Sequence, residues 1–285
     1  MSARRILVAE EAGACYGVER ALALAEKASS EATGPVHTLG PLIHNPRVVA
    51  DLAAAGVTVV RTPAEVAGST LILRTHGVTP EVEREARESC ARVIDATCPF
   101  VKKVHVAVER LSREGYQVVV VGEAGHPEVE ATLGHASGAV VVSSGVEAAA
   151  LHAHGKVGVV VQTTQPRALL AEVVDALIET ADELRVFDTI CEATSGHQSA
   201  CAELARTVDV MVVIGGRNSA NTTHLAEIAA ARCARTYHVE STEELDPAWF
   251  VGAETVGITA GASTPASQIE AVRAAIAGIL GEDAS

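Results

Sequence analysis

Residues 93–101 read Val-Ile-Asp-Ala-Thr-Cys-Pro-Phe-Val, and this stretch predicts the unit from which the fold is built. The apolar run Val93–Ala96 is typical of a short buried strand, and Cys98 follows it almost at once. The stretch Val101–Leu111 then has the apolar spacing of a helix. The segment therefore predicts a strand that leads through a cysteine into a helix.

The same pattern occurs at two other places in the chain. A short apolar run precedes Cys15 and another precedes Cys191, and a helical stretch follows each cysteine. The runs and helical stretches are Ile6–Ala9 with Val18–Ala28, and Val186–Ile190 with Gln198–Val208. From Cys15 to Cys98 is 83 residues, and from Cys98 to Cys191 is 93 residues.

Further landmarks recur in a constant order after each cysteine. A second apolar run ends at a glycine that lies 25, 24 and 24 residues beyond the three cysteines. These runs are Val36–Leu39 before Gly40, Val118–Val121 before Gly122, and Met211–Ile214 before Gly215. A third run then ends in a hydroxyl-rich turn closed by proline; the third runs are Leu71–Leu73, Val157–Val161 and Val256–Ile258. The recurrence predicts an internal threefold repeat.

Strands that alternate with helices predict an α/β protein with mainly parallel sheets. We predict three pseudo-equivalent α/β units, at residues 1–92, 93–185 and 186–285, arranged about a pseudo-threefold axis around a central cavity. Parallel sheets bind ligands beyond the carboxyl ends of their strands, where nearly all the polar landmarks of this sequence fall. The repeat therefore predicts that these polar residues line the cavity.

The composition narrows the possible functions. Of 285 residues, 48% are hydrophobic and 20% are charged, as in a globular protein, and the net charge of −14 argues against nucleic-acid binding. No apolar run reaches the about 18–20 residues of a membrane span. Glu10 comes too early for the apolar core of a secretory leader, so we expect a cytoplasmic protein. Its six cysteines are then expected to be thiols and not disulfides.

The three repeat cysteines are candidate metal ligands. A thiol at the start of a helix is favoured as the thiolate, and three converging thiolates suit a soft metal centre. Zinc usually takes four protein ligands, or three and a water, often with Cys-x-x-Cys pairs, and this sequence has no such pair. An iron–sulfur cluster held by three cysteines would leave one iron open to substrate. The other cysteines, Cys90, Cys201 and Cys233, lie in helix-like stretches and are expected to be apolar filler.

Eight segments together carry a resemblance to a known family. They are Ala-Gly-Ala-Cys-Tyr-Gly-Val (12–18), Gly-Pro-Leu-Ile-His-Asn (40–45), Thr-His-Gly-Val (75–78), Asp-Ala-Thr-Cys-Pro-Phe-Val (95–101), Gly-His-Pro-Glu-Val (125–129), Asp-Thr-Ile-Cys-Glu-Ala-Thr (188–194), Asn-Ser-Ala-Asn (218–221) and Thr-Ala-Gly-Ala-Ser (259–263). In content and order they resemble the 4-hydroxy-3-methylbut-2-enyl diphosphate reductase family, which ends the methylerythritol phosphate route to isoprenoids. The resemblance runs from about residue 6 to about residue 275.

The resemblance implies a cofactor and a reaction. Cys15, Cys98 and Cys191 would hold one [4Fe–4S] cluster per chain, and its fourth, open iron would bind the substrate hydroxyl. The family removes that oxygen as water with two electrons and two protons, and gives isopentenyl and dimethylallyl diphosphates. The electrons would come from a donor such as ferredoxin or flavodoxin.

The resemblance also implies a set of substrate-binding residues at strand ends. They are His44, His76, His126, Thr163, Ser219, Asn221 and Ser263. Hydroxyls, imidazolium groups and N–H groups at helix starts are suitable partners for a diphosphate. Among the landmarks, Glu128 is the obvious carboxyl proton donor, and Thr163 matches the family threonine that relays the proton. The candidate catalytic residues are therefore Glu128, Thr163 and His126.

Three positions depart from the family pattern and leave alternatives open. Ala220 stands where most members have a second serine, and Ala14 stands where an aromatic residue is usual. The stretch Thr-Ser-Gly-His-Gln (194–198), which contains His197, replaces one that usually ends Arg-Gln. They allow a divergent paralogue that acts on a related allylic substrate. Two other possibilities are a non-catalytic iron–sulfur sensor and a zinc hydrolase that uses His126 and Glu128. The complete set of His, Ser, Asn and Glu residues favours an enzyme, because a sensor needs no diphosphate pocket.

Overall fold

In the computed structural model the described residues are 4–281, and they form twelve strands and ten α-helices. The strands are β1 Arg5–Val8, β2 Val36–Leu39, β3 Val57–Val60, β4 Thr70–Leu73, β5 Arg92–Asp95, β6 Gln117–Val121, β7 Val140–Val142, β8 Lys156–Val161, β9 Glu183–Val186, β10 Val210–Ile214, β11 Thr236–Val239 and β12 Thr255–Ala260. The helices are α1 Tyr16–Glu31, α2 Pro46–Ala54, α3 Pro80–Ser89, α4 Pro99–Arg113, α5 Pro127–Leu133, α6 Gly145–Ala150, α7 Arg167–Ile178, α8 Glu192–Leu204, α9 Ala220–Ala230 and α10 Ala266–Leu280. Short 3₁₀ helices lie at Pro63–Val66, Thr242–Glu244 and Pro247–Phe250.

The strands form three four-stranded sheets in which every pair is parallel. The orders are β3-β2-β4-β5, β7-β6-β8-β9 and β11-β10-β12-β1, so the three sheets share one topology. The predicted α/β class, with three equivalent parallel units, is confirmed. The arrangement of the units about a pseudo-threefold axis stays a prediction.

The strand that opens each predicted unit belongs to the sheet of the unit before it. Asp95 of β5 pairs with Leu73 of β4, and Val186 of β9 pairs with Val159 of β8. The boundaries at 92 and 186 remain predictions, and residues 1–3 and 282–285 of the outer units lie outside the described residues. By contacts the chain divides into two compact units: residues 4–15, 44–46 and 192–281 form the first, and residues 16–43 and 47–191 form the second.

Valine-rich central strands form the core of each sheet. The residues Val118–Val121 of β6 and Val157–Val161 of β8 are almost completely buried, as expected for parallel strands covered on both faces. The opening strands β1, β5 and β9 are only partly buried because they lie at sheet edges. No helix within residues 4–281 is long and apolar enough to cross a membrane.

Two predicted segments are wrong in the third repeat. The predicted strand Val186–Ile190 is instead β9, which ends at Val186. The chain turns there because the Thr189 hydroxyl bonds the backbone N–H and carbonyl of Val161 in place of further strand pairing. The predicted helix Gln198–Val208 begins directly after the cysteine, at Glu192, and gives way to a turn after Leu204. One edge strand of each sheet (β3, β7 and β11) is an addition to the predicted runs.

Candidate active site

Each repeat cysteine has the same backbone position. Its N–H donates to the carbonyl oxygen two residues beyond the end of the neighbouring strand, and a helix starts at the next residue. The acceptors are Ala262 for Cys15 (3.1 Å), Thr75 for Cys98 (2.9 Å) and Thr163 for Cys191 (3.0 Å). All three cysteines are half-buried. The three cysteines, whose equivalence was inferred from their spacing, therefore also make equivalent backbone hydrogen bonds.

An aspartate fixes the turn before two of the cysteines. The Oδ1 atom of Asp95 accepts the N–H of Thr97 at 2.9 Å, and Oδ1 of Asp188 accepts the N–H of Ile190 at 3.3 Å. Burial raises the pKa of Asp95, but hydrogen bonds from Lys102 and Thr97 outweigh it, so the pKa is lowered overall. The charged carboxylate can therefore hold the backbone that presents Cys98.

The remaining cysteines have different surroundings. Cys201 and Cys233 are buried in an apolar cluster, and burial raises the pKa of Cys201 to about 11. Cys90 packs against another apolar cluster, and burial together with the charge of Glu85 raises its pKa. Thiols held protonated are poor metal ligands. The prediction of apolar filler is confirmed, except that Cys90 and Cys233 lie just beyond helix ends, where the backbone has left the helix.

No disulfide joins the cysteines, all six of which lie within residues 4–281. Cys15, Cys98 and Cys191 thus provide three reduced thiols directly before helix starts. This donor set is chemically suited to an iron–sulfur group.

Glu128 and Thr163 form a buried pair in the second compact unit. The Thr163 N–H donates to Oε1 of Glu128 at 2.6 Å, and the Thr163 hydroxyl donates to Oε2 at 2.8 Å. Glu128 lies in the first turn of α5, and Thr163 lies just past the end of β8. The side chain of Glu128 is 3% exposed. Both oxygens of this carboxyl group are therefore fixed by a single residue from a neighbouring strand end.

The surroundings hold the pKa of Glu128 close to neutral. Burial raises it, the two hydrogen bonds from Thr163 lower it, and the charge of Glu123 raises it, which leaves a pKa of about 7. A carboxyl group with such a pKa exists in both protonation states at neutral pH. Glu128 can therefore release a proton and take one up again under physiological conditions.

Two half-buried histidines lie close to this pair. The Nδ1 atom of His126 caps helix α5 by accepting the N–H of Glu128 at 3.1 Å. The Nδ1 atom is therefore engaged by the helix start, and Nε2 is the other ring nitrogen of His126. The His76 ring meets it edge to face, with 5.6 Å between the ring centroids. This part of the unit thus brings two imidazole rings close to the Glu128–Thr163 pair.

The first compact unit contains a second polar group, at the ends of β10 and β12. Ser219, Asn221 and Ser263 are 5%, 2% and 6% exposed. Neither Oδ1 nor Nδ2 of Asn221 has a hydrogen-bond partner among residues 4–281. An unpaired buried amide costs about 1–3 kcal/mol. Asn221 therefore has the properties of a residue that pairs with a bound ligand.

Glycines shape the backbone around Asn221. A Cβ atom on Gly261 would lie 2.0 Å from the Thr222 Oγ1 atom, so only glycine fits there. Gly215 has φ +143° and would meet the hydroxyls of Thr222 and Thr264 at 2.8 Å. Two glycine turns and a threonine layer thus bring the ends of β10 and β12 up to the start of α9.

Ser263 is tied to the segment that carries His44. Its hydroxyl donates to the His44 carbonyl oxygen at 3.1 Å, and the Asn45 side chain donates to the Ser263 carbonyl oxygen at 2.9 Å. The same Asn45 amide donates to Oε1 of Gln268 at 3.1 Å. The backbone of His44 is therefore fixed by the turn that follows β12.

The departures from the family pattern fall in the first unit. Ala220 is the first residue of α9, and Ala14 is half-buried. His197 is buried within α8, where burial lowers its pKa against the opposing charge of Glu11. The lowered pKa favours the neutral imidazole, so His197 brings no positive charge to this position.

Sequence patterns missed several polar residues that the structure places around these groups. They are Asn45, Thr222, Thr259 and Thr264. The hydroxyls of Thr222 and Thr259 are buried and have no partner among residues 4–281. The signal was available, because Asn45 is the last residue of one quoted motif and Thr222 directly follows another.

Comparison with known proteins gives one consistent family. Residues 6–277 match the model of the family described as LytB protein. The chain is 50% identical over 262 residues to the 4-hydroxy-3-methylbut-2-enyl diphosphate reductase of Geotalea daltonii, with coverage of 92% of this chain and 93% of that one. It is 47% identical over 275 residues to the enzyme of the same name from Aquifex aeolicus, with 95% of each chain covered.

Solved structures show the same likeness. A structure of (E)-4-hydroxy-3-methyl-but-2-enyl diphosphate reductase, described as the terminal enzyme of the non-mevalonate pathway, matches with a TM-score of 0.72 and 46% identity over 98% of this chain and 100% of that one. The E-1-hydroxy-2-methyl-but-2-enyl-4-diphosphate reductase from Plasmodium falciparum matches with a TM-score of 0.90 and 25% identity, over 96% of this chain and 88% of that one.

Proposed function

Since this chain belongs to the LytB protein family, we propose that it is a cytoplasmic 4-hydroxy-3-methylbut-2-enyl diphosphate reductase that gives isopentenyl and dimethylallyl diphosphates. The observation that carries the proposal is the Glu128 carboxyl group, buried and bonded through both oxygens to Thr163. It is a proton donor poised near neutral pH, as removal of a hydroxyl group as water requires.

Members of this family are iron–sulfur enzymes. In this chain Cys15, Cys98 and Cys191 would hold one [4Fe–4S] cluster with one iron open to substrate. Their common backbone position at three helix starts supports this assignment, as does the protonated state favoured for Cys90 and Cys201. When bound, the cluster supplies electrons and a Lewis acid for the hydroxyl oxygen. An electron carrier such as ferredoxin or flavodoxin would reduce it.

The residues of the chain would supply the protons. The reaction breaks one C–O bond, consumes two electrons and two protons, and releases water and an allylic or homoallylic diphosphate. The Oε2 atom of Glu128 lies 2.8 Å from the Thr163 hydroxyl oxygen, which can take up a proton from the protonated carboxyl group and pass its own proton onward. Because Glu128 is buried, proton transfer depends on this short path and not on bulk water.

The diphosphate would be bound by polar side chains that follow strand ends. The proposed contacts are His44, His76, His126, Thr163, Ser219, Asn221 and Ser263. Asn221 supports the assignment most directly, because its buried amide has no partner among residues 4–281. His126 would contribute its Nε2 atom, since its Nδ1 atom already accepts the N–H of Glu128.

A specific observation separates the enzyme from the iron–sulfur sensor. A sensor needs cysteines but has no use for a buried carboxyl group whose pKa lies at about 7. Burial of a carboxyl group without a cationic partner costs stability, and catalysis is the usual compensation.

Turnover under anaerobic conditions tests the proposal. The chain is purified anaerobically and assayed with 4-hydroxy-3-methylbut-2-enyl diphosphate and a reduced low-potential donor. Formation of isopentenyl and dimethylallyl diphosphates is expected. An iron- and sulfide-loaded protein that binds diphosphate but gives neither product would contradict it. Conversion of a related allylic diphosphate alone would identify the divergent paralogue.

A further inference from the structure

A cleft of about 440 Å³ opens beside the carboxyl ends of β2, β3 and β4 in the second compact unit. We propose that this cleft binds a small amphiphilic anion that has a single anionic head and a short aliphatic tail. Glu128, Thr163, His76 and His126 do not line it, so it is separate from the groups assigned to proton transfer. The inference does not depend on the proposed function, because it requires neither a cluster nor turnover.

Arg74 provides the anion-binding group of the cleft. It follows β4 directly, and its Nε atom donates to the Gly77 carbonyl oxygen at 3.4 Å, which leaves the terminal nitrogens for another partner. No carboxylate within residues 4–281 forms an ion pair with it. Burial lowers the pKa of Arg74, and a bound anion would offset that cost. Arg61, which is exposed, adds a second positive charge to the lining.

The neighbouring turn makes room for this guanidinium group. A Cβ atom at residue 40 would lie 2.7 Å from the Nη1 atom of Arg74, and Gly40 itself has φ +71°. Any other residue at this position would push the guanidinium group from its place. The close approach of Gly40 therefore positions Arg74 along the cleft wall.

The rest of the wall determines what kind of anion fits. Val59, Val60, Val78 and Val82 line the cleft, and Val59 is 42% exposed. Valine side chains favour an aliphatic group, and the volume lies at the lower end of the range of about 300–1,000 Å³ for ligand pockets. Glu130, also in the lining, disfavours a purely anionic ligand that would fill the whole cleft. A single anionic head with a short apolar tail satisfies all of these conditions.

Calorimetric titration with 3-methylbutyl phosphate tests the proposal. This probe is saturated and has no hydroxyl group to remove, and excess inorganic diphosphate is present to occupy any other phosphate site. We expect one binding event per chain. Inorganic phosphate and 3-methylbutanol should each bind at least about tenfold more weakly, because the first lacks the aliphatic tail and the second lacks the anionic head. Equal binding of inorganic phosphate would mean an adventitious ion only and would overturn the proposal.

Two independent variants locate the binding event. Arg74→Met keeps the apolar stem and should weaken binding at least about tenfold, and Val59→Glu should do so by placing a carboxylate in the cleft. The matched controls are Arg113→Met and Val106→Glu, at exposed positions of α4, and should bind as the wild type does. Val59→Glu decides the result if Arg74→Met does not fold. Binding that survives both folded variants, or no binding by the wild type, would overturn the proposal.

Discussion

At the scale of one residue, the environment of Glu128 sets its chemistry. Its carboxyl group is buried and accepts two hydrogen bonds from Thr163. Burial is the main cause of its raised pKa, and no positive charge within residues 4–281 acts on it. Glu128→Gln keeps the shape but cannot act as an acid. Turnover should fall by about 10²–10⁴ while the cluster and diphosphate binding remain, and Thr163→Val should cause part of that loss. Steady-state turnover, normalised to iron content, measures both effects. Wild-type turnover in Glu128→Gln would place the acid elsewhere.

The same carboxyl group should leave a pH signature in stability. Its pKa rises from 4.5 to about 7 on folding, so the folded state binds the proton more tightly. This contribution is complete below about pH 4.5 and is lost as the pH rises to about 7. The free energy of unfolding of the wild type, relative to Glu128→Gln, should therefore fall across that window. Denaturant titrations at several pH values measure it, with the exposed Glu88→Gln as a control for lost charge. A constant difference would show that Glu128 is not perturbed.

Asn221 should separate ligand binding from stability. Because its buried amide is unpaired within residues 4–281, Asn221→Ala should change the free energy of unfolding by less than about 1 kcal/mol, or raise it. Diphosphate affinity should nevertheless fall at least about tenfold. Asn45→Ala is the matched control, because it removes two hydrogen bonds and should cost about 1–3 kcal/mol. Equal destabilisation by both variants would make Asn221 a structural residue.

At the scale of the element, local signals predicted the first two strand–cysteine–helix junctions and the central strands, but not the segments around Cys191. The apolar runs of β2, β6 and β10 are continuous, and Pro80, Pro99 and Pro127 open helices, where their fixed φ is favourable. The edge strands β3, β7 and β11 escaped prediction because each is completed by pairing with an earlier strand, a contact that leaves no local pattern.

The candidate site was only partly predictable for a related reason. Sequence placed Glu128 and Thr163 at separate strand ends, but they are 35 residues apart, and only the parallel pairing of β6 with β8 brings them together. Whether the buried amide of Asn221 finds a hydrogen-bond partner depends on every residue packed around it, so no local sequence pattern indicates it. Arg74 gave no signal, because its position depends on the close approach of Gly40.

The turn after β4 provides a test at this scale. Gly77 has φ +75°, and a Cβ atom there would lie 2.7 Å from the Cε1 atom of His105. Gly138 has φ +77° with nothing within 4 Å of such an atom. Gly138→Ala should cost about 1–2 kcal/mol for the backbone alone, and Gly77→Ala about 1–3 kcal/mol more for the clash. Thermal and denaturant unfolding measure the difference. Equal costs would show that His105 moves aside.

At the scale of the whole molecule, the repeat assigns one cysteine to each of three equivalent junctions. The anaerobically purified protein should be brown and hold about four iron and four sulfide per chain. Cys15→Ser, Cys98→Ser and Cys191→Ser should each lose the colour and the iron. Cys90→Ser, Cys201→Ser and Cys233→Ser should keep them. Elemental and sulfide analysis measures the outcome, and stoichiometric zinc without sulfide would contradict the assignment.

Because β1 and β12 belong to one sheet, we expect the chain to tolerate circular permutation. Arg5 pairs with Thr255, and the Arg4 side chain donates to the Leu280 carbonyl oxygen at 2.9 Å, so residues 4 and 281 lie near each other. The connection from α7 to β9 is the equivalent position in the preceding repeat. A circular permutant that joins residue 281 to residue 4 by a short linker and opens at Asp182 should therefore retain all three sheets, with a circular dichroism spectrum like that of the parent. In a protein built from three repeats of one unit, the chain can begin at any of the three repeats.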